Sequence, residues 1–314
     1  METMTDTKVS VVIPCYKTGN RVEKLVEEIS QSLAGYTKGS FEILFVVDGS
    51  PDDTWKHVVQ ESKNNDHVRG LELMRNYGQH AALLAGIRSA RGEIIVTLDD
   101  DFQQNPAEIP QLIDALGDSF DLVYGVSTVE EHSAVRNIAS RTYKWAAEHL
   151  LQISNAKSVT AFRAFRRDLA EGFENTSDPY APLDVLLNWS TTRITSVPVT
   201  MSERVDGKSS YTFRSLVRHA VNAITGYSTA PLRFVTYVGL TTFIISFILL
   251  ARIFILYLHG DISVVGYSSL ALMIAFFSGI QLLSLGIIGE YLGRLHMRSM
   301  GKPRYLIRSQ TNSR

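Results

Sequence analysis

The sequence predicts an α/β fold: a mainly parallel sheet with helices on both faces, followed by an interfacial helix and a two-helix transmembrane hairpin. Three observations carry this reading. Short apolar runs alternate with segments of helical period near the amino end. Two long stretches near the carboxyl end carry almost no charge. Acidic residues collect where the predicted strands end.

Val9 to Pro14 is a short apolar run and makes the first strand, after which Val22, Leu25, Val26 and Ile29 recur at helical spacing. Phe41 to Val47 is a second strand, Trp55 to Ser62 a helix, and Val68 to Met74 a third strand. Ala81 to Ser89 reads helical, Glu93 to Leu98 is a fourth strand, and Ile194 to Val199 is strand-like. Such alternation builds a mainly parallel sheet, and ligands of open parallel sheets bind outside the carboxyl ends of the strands.

From Phe234 to Ala251 no residue is charged, and beyond Arg252 the apolar run continues to Leu258. After the break at His259-Gly260-Asp261, Ile262 to Gly289 is again uncharged. Each run exceeds the roughly 30 Å of a bilayer's hydrocarbon core. The short break makes the pair an antiparallel hairpin with both ends on one side. Arg233, Arg294, Arg298, Lys302, Arg304 and Arg308 flank that side, which makes it cytoplasmic by the positive-inside rule. Arg252 snorkels to the far interface, and Glu290 pairs with Arg294 one turn on. Ahead of the hairpin, Phe213, Leu216, Val217, Ala220, Val221 and Ile224 share one helical face while Arg214, Arg218 and His219 lie off it, the pattern of a helix in the membrane interface. A soluble amphipathic helix packed on the domain has the same pattern, and the nearness of the span favours the interfacial one.

The expected domains are therefore residues 1–210 as a cytoplasmic domain, 211–229 as a juxtamembrane amphipathic helix, 230–295 as the hairpin and 296–314 as a cytoplasmic basic tail. The opening METMTDTKVS has no long apolar core of a signal peptide, so the first domain is expected to stay where it is made, on the inner (plasma) membrane of the cell. Over 314 residues the formal charge is −1, which argues against a nucleic-acid partner. The single cysteine, Cys15, excludes an internal disulfide and reads as a small packing residue. The histidines show no zinc-site spacing.

The strand ends carry the chemistry. Pro14-Cys15-Tyr16 follows the first strand, Asp48-Gly49-Ser50-Pro51-Asp52 the second, and Asp99-Asp100-Asp101-Phe102-Gln103 the fourth. Three adjacent carboxylates repel one another, and a hard divalent cation, Mg²⁺ or Mn²⁺, bridging diphosphate oxygens offsets that cost. In an extended segment alternate side chains share a side, so Asp99 and Asp101 are expected to converge and Asp100 to point away. The plain alternative is a solvated acidic turn ahead of a helix. No GxGxxG, GxxxxGK or GxSxG motif is present, which removes the main support for dinucleotide, P-loop and serine-hydrolase readings.

With these residues in view, the chain resembles the polyprenyl-phosphate group of family 2 glycosyltransferases, the group of dolichol-phosphate mannose synthase, bactoprenol glucosyltransferases and the aminoarabinose transferases. The carriers are VVIPCY from Val11, VVDGSPDDT from Val46, RNYGQHAALLAGI from Arg75, LDDDFQQNP from Leu98, FRAFRR from Phe162, Glu203-Arg204 and GEYLGR from Gly289, spread over almost the whole chain. The resemblance implies a GT-A type of fold that transfers a sugar, with inversion, from a nucleotide diphosphate sugar to polyprenyl phosphate at the bilayer surface. It implies Pro14, Tyr16, Asp48, Asp99 and Asp100 in nucleotide-sugar binding, and Asp99, Asp101 and Gln103 around the metal. Asp101, Arg163, Arg204 and Lys208 are the implied catalytic set, the cations meeting phosphates of donor and acceptor. It also implies homo-oligomers formed through the membrane part.

The chain departs from the family pattern in places. Lys17-Thr18 stands for the usual Asn-Glu, Val47 for the first acid of Asp-Asp-Gly-Ser, Lys157 for an upstream acid and Ser210 for a lysine, with Lys208 two residues away. The alternatives weighed against transfer to a lipid are a non-catalytic or nucleotide-sugar-sensing membrane protein on a diverged transferase fold, and a polysaccharide synthase. The last should carry a QxxRW motif, which is absent.

Overall fold

The computed structural model describes residues 7–127, 159–172, 183–201, 230–259, 266–301 and 303–311. The expected interfacial helix, Lys157, Arg204 and Lys208 lie outside these residues. The described chain falls into two compact units, one holding the sheet and ending with Gly301–Arg314, the other holding two long apolar helices.

The sheet contains β1 (Val9–Cys15), β2 (Phe41–Val47), β3 (Val68–Leu73), β4 (Ile94–Thr97), β5 (Leu122–Ser127), β6 (Arg163–Arg166), β7 (Ile194–Val199) and β8 (Ile307–Gln310). Their order is β7-β5-β6-β4-β1-β2-β3-β8. The pairs β1–β2, β1–β4, β2–β3 and β5–β7 are parallel, as the alternation predicts. Two strands, β6 and β8, run against the rest. Neither is foreshadowed by a strand–helix alternation: β6 is a four-residue strand within FRAFRR, and β8 follows the apolar helices in the chain.

Burial on both faces explains the mainly apolar character of β1 and β2, every residue of which is buried, Ser10 and Glu42 being the polar exceptions. Helices α1 (Arg21–Leu33), α2 (Thr54–Asn64) and α4 (Ile109–Leu116) cover one face, with Val22, Leu25, Ile29, Val58 and Leu112 meeting Val11, Ile13, Ile43 and Phe45 in one core. Helix α3 (Gln79–Ser89) covers the other, so closely that a Cβ on Gly86 would stand 2.3 Å from Val12. Two shorter helices follow, α5 (Arg167–Glu171) and α6 (Leu183–Ser190).

The second unit contains α7 (Ala230–Leu258) and α8 (Tyr267–Ser299), of 29 and 33 residues. At 1.5 Å per residue they are about 43 and 50 Å long, enough to cross a membrane. Large apolar side chains such as Phe247 and Leu282 are exposed rather than packed inside. The tail beyond α8 contains a strand that the sequence reading did not expect: Arg304 is buried and Arg308 sits in β8.

A polar lock holds the amino ends of the strands. Glu42 on β2 accepts from Ser10 Oγ at 2.6 Å, from Arg69 Nη1 at 2.5 Å and from the Arg91 backbone N–H at 2.6 Å, while Gly92 N donates to Ser10 Oγ at 2.8 Å. One buried carboxylate thus ties β1, β2, β3 and the approach to β4, far from the ends that carry the acidic cluster. Removing one member of such a pair leaves a desolvated charge uncompensated, at a cost of about 3–5 kcal/mol. The Glu42→Leu variant is expected to melt roughly 6–12 °C below wild type in detergent, and an unchanged melting temperature would show that the lock contributes nothing.

Candidate active site

The carboxyl ends of β1, β2 and β4 open onto one pocket, lined by Pro14, Cys15, Tyr16, Asp48, Asn76, Gly78, Gln79, Asp99, Asp100 and Asp101. Its floor begins where β1 and β2 part: Asp48 N donates to Cys15 O at 2.9 Å. The Asp48 carboxylate, buried, then accepts from Tyr77 N and Gly78 N, both at 2.7 Å. Burial raises its pKa and these two donors oppose the rise. Gly49 makes the approach possible. At φ 57° it holds a conformation that favours glycine, and a Cβ there would stand 2.3 Å from the carbonyl carbon of Arg75.

The acidic turn departs from the expected alternation. β4 ends at Thr97, the chain turns at Asp100 and Asp101, and Phe102 takes φ 58°. The segment is not extended, and all three aspartates are among the residues that line the pocket, the Asp100 carboxylate accepting from the Thr18 hydroxyl. Gln104 sets this turn, its Oε1 accepting from Asp99 N at 2.8 Å. Gln103, the glutamine expected at the metal, instead uses its backbone N–H on Asp101 Oδ1 at 3.1 Å, and its side chain is not among those lining the pocket. Gln79, at the start of α3, donates to Asp99 Oδ1 at 2.7 Å.

Burial and the neighbouring Asp101 push Asp99 up to about 6. Burial also raises Asp100, opposed by the Thr18 hydroxyl that donates to it and by the charge of Arg21. Thr18, which stands where the family usually has glutamate, is thereby given a place: a second acid here would face Asp100. Cys15 is buried with its thiol raised by desolvation, consistent with packing and unsuited to nucleophilic attack.

Arg163 requires the largest revision. Its guanidinium is only 2% exposed, donating from Nε to Thr97 Oγ1 at 2.9 Å and from Nη1 to Asp184. Asp184 on α6 also accepts from the Tyr124 hydroxyl at 3.2 Å, which in turn accepts from Asn188 Nδ2 at 3.1 Å. Arg163 is therefore not presented to a phosphate in the pocket. It lies behind the acidic turn, where its charge lowers the pKa of Asp99 against the effect of burial. Asp184, its partner, was not singled out in the sequence; PLDVLLNW offers a lone acid at the head of an apolar helix, with no local sign of the arginine 21 positions earlier.

Among the described residues no three acidic, histidine or cysteine side chains form a ready-made cation cage. The donor set nonetheless fits a hard cation. Asp99 and Asp101 offer oxygen ligands in a pocket where their mutual repulsion is already expressed in the raised pKa of Asp99. Few protein ligands is the usual condition of Mg²⁺ sites completed by substrate phosphates.

Residues 10–173 match the model of the family described as glycosyl transferase family 2. Along 307 residues the chain is 31% identical to an undecaprenyl-phosphate 4-deoxy-4-formamido-L-arabinose transferase of Klebsiella pneumoniae, covering 96% of this chain and 92% of the relative. The same enzyme of Salmonella choleraesuis is 32% identical over the same shares. Among solved structures, glucosyl-3-phosphoglycerate synthase from Mycobacterium tuberculosis, in complex with Mn²⁺, UDP and glucosyl-3-phosphoglycerate, is similar with a TM-score of 0.52, 19% identity and coverage of 71% of this chain and 80% of that one. Staphylococcus aureus TarS with UDP-GlcNAc is similar at a TM-score of 0.50, 16% identity and coverage of 70% and 66%. These last two likenesses concern the fold.

The raised pKa of Asp99 has a stability consequence with a definite sign. A carboxyl that ionises near 6 when folded but near 4 when unfolded destabilises the metal-free fold in full above pH 6, and that penalty is relieved as pH falls from 6 toward 4. Asp99→Asn, measured with chelator present, is therefore expected to melt above wild type at pH 7.5, the gain shrinking toward pH 5. A gain that stayed constant with pH, or a loss at pH 7.5, would show that burial of this charge is not what strains the site.

Proposed function

The chain belongs to glycosyl transferase family 2, and from that footing we propose that this glycosyltransferase moves a sugar from a nucleotide diphosphate sugar to a polyprenyl phosphate. The observation that supports this reading most directly is the meeting of Asp99, Asp100 and Asp101 with Tyr16, Asp48 and Gly78 in one pocket at the strand ends. Similarity along nearly the full length to undecaprenyl-phosphate sugar transferases supports the lipid acceptor.

In this reading Tyr16, half-exposed at the pocket rim, offers its ring to the nucleotide. Gln79 and Gln104 orient Asp99, while Asp101, which accepts from Gln103 N, lines the pocket on the diphosphate side. A divalent cation held by Asp99 and Asp101, Mg²⁺ or Mn²⁺, supplies Lewis-acid stabilisation of the departing diphosphate. The acceptor phosphate is anionic at neutral pH, so its oxygen attacks the anomeric carbon without a protein base, the carbon–oxygen bond to the diphosphate breaks, and configuration inverts. Lys157 at the usual acidic position is compatible with that. Arg163 acts from behind the turn by limiting the charge repulsion around Asp99. Arg204 and Lys208 remain the proposed phosphate partners. Domain by domain, residues 1–210 carry the pocket, 211–229 lie in the interface, and 230–295 span the inner (plasma) membrane as a hairpin, with the pocket cytoplasmic and β8 returning to the sheet from the tail.

The test is to incubate membranes containing the full chain with a panel of nucleotide sugars, polyprenyl phosphate and Mn²⁺ or Mg²⁺, and to weigh the lipid product. A polyprenyl-phosphate monosaccharide is expected; free sugar alone or a polymer would overturn the reading. Asp101→Asn, which removes one charge and little volume, is expected to cut turnover about a hundredfold or more while leaving the melting temperature within a few degrees. Full activity of that variant without added divalent cation would remove Asp101 from the site.

A further inference from the structure

The tail that follows α8 does more than lengthen the sheet. β8 pairs antiparallel with β3, Leu71 opposite Gln310, Glu72 opposite Ser309 and Leu73 opposite Ile307, with a bulge between Glu72 and Leu73. Past the bulge both backbone groups of Met74 are held by the tail: Met74 N donates to Leu306 O at 2.8 Å, and Arg308 Nη2 donates to Met74 O at 2.7 Å. Met74 is the last residue before the segment that frames the pocket. Arg75 and Asn76 cross Gly49 at a distance no side chain could share, Tyr77 and Gly78 donate to Asp48, and Asn76 and Gly78 line the pocket. The Arg75–Gly78 turn is therefore strung between two fixed points, the Asp48 carboxylate at one end and the carboxyl-terminal tail at the other.

We propose that β8 is a positioning element of the donor pocket: by fixing both backbone groups of Met74 it sets the Arg75–Gly78 turn against Asp48, so nucleotide affinity depends on residues that follow the apolar helices in the chain. The proposal rests on the nucleotide-sugar reading of the pocket. A cover for the edge of β3 is the simpler role for such a strand, and it predicts a different result. An edge cover lowers stability when lost but leaves the affinity of the folded protein unchanged. A positioning strand changes affinity through a contact whose loss does not unfold the protein.

Arg308 separates the two, because its side chain is half exposed and contributes little to the core. The experiment measures binding of uridine and guanosine diphosphate with Mn²⁺ by calorimetry, using the full chain in detergent, alongside its melting temperature. Arg308→Ala is expected to weaken the diphosphate that wild type binds by roughly three- to tenfold at a melting temperature near wild type. Arg308→Lys, which can still donate to the Met74 carbonyl, should recover most of that loss. Ser309→Pro, which puts a residue without an N–H opposite Glu72, is expected to lose more than Arg308→Ala in affinity and also in stability. Wild-type affinity in Arg308→Ala overturns the proposal even if Ser309→Pro has lost binding, since proline removes the strand as well as the contact. Failure of wild type to bind either diphosphate overturns the pocket reading, and the tail proposal with it; binding by wild type with no change in Arg308→Ala overturns the tail proposal alone.

Discussion

Both oxygens of the Asp48 carboxylate accept backbone N–H groups, from Tyr77 and Gly78, across the gap between the end of β2 and the start of α3. Gly78 is the residue that opens α3, so its N–H has no partner within the helix, and the carboxylate supplies one to it and to the Tyr77 N–H beside it. The contact is possible only because Gly49, at φ 57°, lets the Arg75–Asn76 backbone pass against its Cα. From this one junction the rest of the pocket follows. It fixes the start of α3, and with it Gln79, whose amide holds Asp99 at 2.7 Å. The substitution that leaves Val47 where the family has an acid falls just before it, and Val47 is buried in the core against α1 rather than in the pocket.

The acidic turn illustrates a stability cost retained for function. Three consecutive aspartates line one pocket, and burial together with Asp101 drives Asp99 to about 6. The fold moderates this with dipoles and with two charges: Gln79, Gln104 and the buried Arg163 beside β4 at Asp99, Thr18 and Arg21 at Asp100. Arg163 is neutralised in turn by Asp184, and Tyr124 and Asn188 complete that network. A buried arginine used in this way contributes a field and not a ligand contact, which is why its motif, FRAFRR, suggested a phosphate partner while its geometry places it in the scaffold.

The two ends of the parallel strands divide the work. At the amino ends, Glu42 gathers Ser10, Arg69 and the Arg91 backbone into a buried set of satisfied polar groups, which holds register. At the carboxyl ends the aspartates line an open pocket.

Local chemistry determined much of this protein. Apolar runs bounded by turn residues give β1 to β4 and the helices between them because strands buried on both faces and half-buried helices leave periodic marks in a sequence. The unbroken apolar stretches gave the two long helices for a similar reason, and Pro14, Tyr16, Asp48 and the three aspartates were legible because strand ends in such sheets are where ligands bind. Tertiary structure alone decided the rest. Whether Asp100 faces the pocket depends on a turn held by Gln104, and whether Arg163 meets a phosphate or Asp184 depends on a helix 21 residues away in sequence. The place of Ile307–Gln310 depends on a strand more than 200 residues earlier. Such pairings are set by which surfaces the packed core brings together, and short segments like FRAFRR and the tail carry no period long enough to announce them.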